Sequence, residues 1–281
     1  MLVRIAAVIL GVLLLVQQAP AQTTSQPDLL ARIKQKKEIV IATEARLPPF
    51  EFVENGQIVG YDKDLLTEVL KDLPGVTLHQ IDLPWQGILP GLDANKFDYV
   101  VTAVTITKER SARYAMAIPL ADATTDLVKR ANDNAINKPE DIAGKIVAGQ
   151  TGSAPLAGLK AFNDDLAKKN GKGADKIQEY VAYDEAYADL VNGRVEAVVQ
   201  ALPNALYLLK RRPGVFAVVQ PTFGPKKYYT WCGRKDADSA SLVAFFDSEL
   251  TKLKKSGKVA ELQKKWFGSE VPLPDHVTPE F

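Results

Sequence analysis

The chain is poor in the residues whose chemistry is easiest to recognise. Among its 281 residues there is one cysteine, Cys232, and there are two histidines, His79 and His276. A single thiol excludes an intramolecular disulfide. Cys232 sits in Tyr228-Tyr229-Thr230-Trp231-Cys232, a strand-like run in which a buried, inert thiol is the simplest reading. The histidines lie far apart with no ligand spacing around them, so a zinc site or a histidine-based triad has no support. No cofactor is expected. Charge of one sign is missing too. The formal net charge is +1, with lysines and acids interspersed, so there is no electrostatic footprint for nucleic acid. Low-complexity blocks and short-period repeats are absent, and beyond the N-terminus no stretch is apolar enough to cross a membrane.

What is present describes an ordinary globular protein. Hydrophobic residues make up 46% and charged residues 25% of the chain, which is long enough for one large or two medium domains. The N-terminus reads as a secretory signal peptide. Met1-Leu2-Val3-Arg4 carries one positive charge, Ile5 to Val16 is apolar, and Ala19-Pro20-Ala21 supplies small residues for cleavage before Gln22. No cysteine follows the apolar run, so a lipid anchor there is not expected. The mature protein is expected to be exported and soluble.

Downstream, hydrophobic periodicity alternates between strand and helix. Glu38 to Thr43 reads as a strand, and the prolines of Leu47-Pro48-Pro49 then favour an extended loop. Asn55-Gly56 is a hairpin signal. A helix follows Gly60 to about Leu73, a strand covers Val76 to Ile81, Leu83 to Trp85 is a loop, and Gln86 to Ala94 is a short helix. Phe97 to Val101 is a buried strand. Thr102 to Arg110 then turns from β-branched to charged residues, with Thr105 or Thr107 able to cap a helix. A second cycle runs from about Pro139. It includes the strand Lys145 to Ala148 and the loop Gly149 to Pro155, whose glycines and hydroxyls precede a helix as in an anion site. That loop lacks the ending of a nucleotide P-loop. The β-α-β-α-β order predicts mostly parallel sheets, and ligands sit at the carboxyl ends of such strands. Three of those ends converge at Glu44 to Pro49, Leu83 to Trp85, and Thr102 to Arg110. An arginine there holds a carboxylate bidentately.

These segments together resemble the periplasmic amino-acid-binding proteins of ABC importers. Thr43 to Phe52, Val59 to Leu65, Trp85 to Leu92, Thr105 to Arg110, Gln150 to Ser153, Asn192 to Val198 and Lys265 to Gly268 carry the resemblance. It implies a type II periplasmic-binding-protein fold. Two α/β lobes, each a mostly parallel sheet flanked by helices, would be joined by two crossing strands. Residues 1–21 would be the signal peptide, 28–126 and 223–281 the first lobe with a C-terminal tail, and 127–222 the second lobe.

The resemblance also implies residue roles. Arg110 matches the arginine that grips the ligand carboxylate, Thr105 its hydroxyl neighbour, and Ala103 a position whose backbone meets the amino end. Ser153 and Ala154 match the second-lobe loop that completes the carboxylate site. Trp85 and Glu44 match positions facing the ligand side chain. Two positions depart from the pattern. Ala201 stands where an aspartate pairs with the ligand ammonium, and Leu47 stands where an aromatic ring stacks. A buried ammonium without a carboxylate is costly. The expected ligand is therefore a small carboxylate, either lacking an α-amino group or meeting Glu44 with its cation, with Gln200 and Asp184 as further candidates for that role.

The resulting expectation is a monomeric, non-enzymatic binding protein of the periplasm that closes its lobes on an amino acid or small carboxylate and presents it to an ABC permease in the inner membrane. The alternatives are an enzyme on the same scaffold, such as a cyclohexadienyl dehydratase with Glu44 as acid or base, and a partner or sensor protein without transport.

Overall fold

A computed structural model describes residues 27–279; the expected signal peptide lies outside the described residues. The first part of the chain forms α1 (Leu29–Lys36), β1 (Glu38–Thr43), β2 (Arg46–Leu47), β3 (Glu51–Glu54), β4 (Gln57–Val59), α2 (Tyr61–Val69), β5 (Thr77–Asp82) and α3 (Trp85–Asp93). Next come β6 (Tyr99–Thr105), α4 (Lys108–Arg113), β7 (Tyr114–Met116), β8 (Ala121–Asp122), β9 (Thr125–Arg130), β10 (Ile146–Gln150), α5 (Ala154–Asn170) and β11 (Lys176–Tyr180). The remainder is α6 (Tyr183–Val191), β12 (Ala197–Ala201), α7 (Leu202–Arg211), β13 (Phe216–Val218), β14 (Tyr228–Arg234), α8 (Ala240–Lys255) and α9 (Lys258–Phe267).

Two large sheets result, ordered β5-β1-β6-β14-β7 and β11-β10-β12-β9-β13, with β8 beside β14. Strand direction is uniform in each except at β14 and β9, which run antiparallel to their neighbours. These are the strands reached directly after the chain crosses from one sheet to the other. The two crossings touch each other: Thr125 bridges Phe223, and the Ala123 amide donates to the Lys227 carbonyl at 2.8 Å. A third, small sheet is the β2-β3-β4 meander. Its hairpin turns at Asn55 and Gly56, both at positive φ, as a two-residue turn with matching twist requires.

Three boundaries differ from the sequence reading. The strand expected to end at Val101 continues to Thr105, with all seven residues of β6 buried. β-branched Thr102 and Thr105 pack as strand residues, so the turn shrinks to Ile106 and Thr107. Trp85 is not in a loop but opens α3, where the preceding Pro84 ends the extended segment. The Pro48-Pro49 segment is not one extended loop. A cis peptide joins the two prolines, and β2 and β3 flank them in antiparallel register.

Buried aromatic packing fixes the loops that matter. Phe50 lies edge-on to Tyr61 and Tyr229 and tilted against Phe267. The Thr102 hydroxyl donates to Glu51. Together these lock the turn after Glu44 onto β6. On the opposite face, Tyr99 stacks on Phe246 of α8 at 4.0 Å, each ring burying apolar area of about 2–3 kcal/mol.

Candidate functional site

The carboxyl ends of the two sheets face each other across a closed cleft. The cleft encloses a cavity of about 20 Å³ lined by Glu44, Leu47, Trp85, Ala103, Thr105, Arg110, Gln150, Ser153, Ala154, Pro155, Tyr183 and Tyr229. Eight of the nine positions singled out from the sequence meet here. Ala201 does not line the cavity. It is fully buried at the end of β12, where it caps α7.

Each side chain arrives for a local reason. Arg110 is the third residue of α4, whose N-cap Thr107 accepts from the Arg110 amide at 3.2 Å. The guanidinium turns back over the strand end. It donates to the Thr105 and Gly152 carbonyls at 3.2 Å each and lies 4.8 Å over the Trp85 ring. Among the described residues no carboxylate lies within ion-pair distance of it. Desolvation lowers its pKa from the ordinary value, so the site favours an anion that would restore the lost solvation. Ser153 caps α5, accepting from the Leu156 amide at 3.2 Å. The first residues of that seventeen-residue helix point its positive dipole end at the cavity. The loop reaches this position through Gly152 at φ 73°, a conformation that a side chain disfavours.

The acid of the cavity is Glu44, which follows β1 and is 3% exposed. Its carboxyl accepts from the Gln150 amide at 2.5 Å. Burial pushes it up to about 8, only partly opposed by the Gln150 hydrogen bond. At neutral pH it therefore holds a proton in this closed arrangement. The cavity thus has an electropositive wall at Arg110 and α5, and a titratable acid at Glu44.

Four lining residues escaped the sequence reading. Gln150 and Tyr183 end β10 and follow β11, so the strand-end rule that selected Glu44 and Trp85 also selects them. Pro155 is the second residue of α5. Tyr229 lies on the reversed strand β14, and no sequence signal marks it. Bonds across the cleft come from the same ends. The Trp85 indole donates to the Gly152 carbonyl at 3.0 Å, and the Gln86 amide donates to Thr151 and Val181 at 3.1 and 3.2 Å. Among the described residues no cluster of three or more His, Cys, Asp or Glu could hold a metal ion, and no helix is long and apolar enough to cross a membrane.

Two sheets with facing strand ends, crossed twice by the chain and closed over a buried cation and acid, define a two-lobed α/β binding protein. Residues 39–269 match the bacterial extracellular solute-binding proteins, family 3, and the chain belongs to that family. It is 27% identical over 259 residues to the L-cystine-binding protein TcyJ of Escherichia coli strain K12, covering 92% of each chain. Among solved structures it resembles a mutant ArgBP from T. maritima, with 32% identity, TM-score 0.73, and 85% and 98% of the two chains covered. An ancestral amino acid-binding protein described as a precursor of cyclohexadienyl dehydratase is 29% identical, with TM-score 0.72 over 85% and 99% of the chains. The fold is that of type II periplasmic binding proteins.

Proposed function

We propose that this protein captures an amino acid outside the cytoplasm and delivers it to an ABC permease. The convergence of Arg110 and Glu44 from separate strand ends on one closed cavity carries the reading. The ligand carboxylate would take the free N–H groups of Arg110, the Thr105 hydroxyl and the N-terminus of α5. Its ammonium would face Glu44, the acid that replaces the charge missing at Ala201. The relatives named for cystine and arginine binding support an amino-acid ligand.

A cavity of about 20 Å³ is the size of one water molecule, so entry requires the lobes to separate. Separation breaks the bonds of Trp85, Gln86, Arg110 and Gln150 across the cleft, each worth on the order of 1 kcal/mol. The ligand re-forms the closed state with its own contacts. We place the first lobe at 28–126 and 223–281 and the second at 127–222, with the hinge at the paired crossings. The same reading includes a cleaved export signal, a periplasmic location without a lipid anchor, and a monomer.

A thermal-shift screen of residues 22–281 against amino acids and amine-free carboxylates tests the proposal, because a ligand selective for the folded state raises the melting temperature. A shift abolished by Arg110→Ala supports it, and no shift with either set removes it. The alternative of an enzyme on the same scaffold is not favoured: the relatives are named for amino-acid binding, and the ancestral precursor of cyclohexadienyl dehydratase is itself described as an amino acid-binding protein. Turnover of prephenate or arogenate would establish that reading instead.

A further inference from the structure

Behind the cavity wall, two carboxyl groups meet in the core of the first sheet. Glu51, on β3, and Asp62, at the start of α2, are both buried. The backbone brings them together. The Tyr61 and Asp62 amides donate to the Pro49 and Phe50 carbonyls at 2.9 Å each. Gly60 permits the close approach, since a Cβ there would meet the Phe50 carbonyl and lie 2.9 Å from the Glu51 Cα.

The Thr102 hydroxyl donates to Glu51 Oε1. Glu51 Oε2 and Asp62 Oδ2 are buried and accept from no N–H or hydroxyl group. The Trp231 indole N–H, also buried, lies beside Asp62. The other titratable groups acting on the pair are Tyr61, Tyr229 and Glu44. Burial keeps both tyrosines neutral, and among the described residues no cation forms an ion pair with either carboxyl. Two ionised carboxylates cannot face each other in such a place. One proton between them resolves the conflict, because a protonated Glu51 donates to Asp62 and satisfies an oxygen on each. Burial and the Asp62 charge push Glu51 well above its ordinary range. Burial raises Asp62 only to about 6, opposed by the Glu51 hydrogen bond, so Asp62 is the member that ionises.

The pair sits between two parts of the cavity wall. Glu51 stands opposite Leu47 in the β2–β3 ladder, and Thr102 precedes Ala103 on β6. Leu47 and Ala103 both line the cavity, as does Glu44 just before β2. We propose that Glu51 is a positioning residue for the binding site: sharing one proton with Asp62 and accepting from Thr102, it fixes the turn from Glu44 to Leu47 against β6. The pair itself touches no ligand. A fully satisfied buried network rigidifies what it joins, and here it joins the acid of the site to the strand that carries Ala103 and Thr105. The inference rests on Glu44 being that acid.

The test needs no ligand, so its failure leaves the amino-acid reading of the cleft standing. Carbon-13 NMR of glutamate carboxyls is followed from pH 5 to 9, with melting temperatures as the check on folding. The two signals are assigned by their loss in Glu44→Gln and Glu51→Gln. In wild type the Glu51 signal is that of a protonated carboxyl throughout, and Glu44 titrates near 8. Glu51→Gln keeps a donor for Asp62 and an acceptor for Thr102, so the Glu44 midpoint stays. Glu51→Met keeps the length and removes both, so the midpoint falls by at least one pH unit as the turn loosens into solvent. Thr102→Val, which deletes only the hydroxyl, moves it in the same direction and replaces Glu51→Met if that variant does not fold. A Glu51 signal that titrates in the ordinary carboxylate range overturns the shared proton. A Glu44 midpoint unmoved in both Glu51→Met and Thr102→Val, or moved equally in Glu51→Gln, overturns the positioning role.

Discussion

If Glu44 receives the ligand ammonium, binding must expel a proton. In the closed arrangement Glu44 is 3% exposed, and burial raises its pKa to about 8. At pH 7 about nine in ten such carboxyls are protonated, since one pH unit is a tenfold ratio. A unit charge brought to about 4 Å at an effective dielectric near 20 contributes roughly 4 kcal/mol. That is enough to return the carboxyl to about pH 5. Between about pH 5 and 8 the complex thus holds a proton fewer than the unliganded protein. The dissociation constant of an α-amino acid should fall by up to about tenfold per pH unit across that window and flatten above it. Isothermal titration at pH 6, 7 and 8, in buffers of different ionisation enthalpy, counts the released proton directly. An amine-free carboxylate should show no such release, and Glu44→Gln should remove it for the amino acid. An amino acid that binds with no proton release at pH 6–7 and an unchanged constant from pH 6 to 8 would refute the assignment. Its ammonium would then be held elsewhere.

Other outcomes follow from the same geometry. Without ligand, Glu44 is a raised carboxyl: below about pH 4 it is protonated in both folded and unfolded chains, and from there to about 8 only the folded chain keeps its proton. Its contribution to stability therefore falls as pH rises through that window, and calorimetry should find Glu44→Gln more stable than wild type at pH 8 but nearly equal at pH 4. Asp126, raised to about 7 by burial, adds a loss of the same sign up to its own pKa. Arg110→Ala should weaken the amino acid by about 2–5 kcal/mol, the usual cost of truncating one side of a buried charge pair, measured by titration. Trp85→Phe deletes one bond across the cleft, about 1 kcal/mol, and should shift the unliganded population toward an open, larger radius of gyration by small-angle scattering. Gly60→Ala should cost roughly 2–4 kcal/mol in urea unfolding. Gly60 sits at φ 133°, and an added methyl would overlap the Phe50 carbonyl.

How far the site could be read in advance depended on where each group sits relative to a strand end. Glu44, Trp85, Thr105, Arg110 and Ser153 all follow or end parallel strands, where alternating strand and helix patterns show in the text. Gln150 and Tyr183 occupy equivalent places in the second sheet, where the same rule applies, yet the sequence reading did not single them out. Tyr229 was illegible for a physical reason. Its strand β14 is antiparallel to β6 and enters from the other sheet, so local pattern gives no sign of which end faces the cleft. The strand boundary at Thr105 was misread because threonine serves equally as a buried β-branched residue and as a helix cap, and only packing against β14 decides between them. Charge balance was the hardest matter to foresee. Ala201 in the text announces a missing carboxylate. The structure shows that Ala201 is not on the cavity wall and that Glu44, brought from the opposite sheet, is. On the proposed reading Glu44 takes over the role of the acid missing at Ala201, and a ligand that satisfies Arg110 and Glu44 together would carry its cation toward the first lobe.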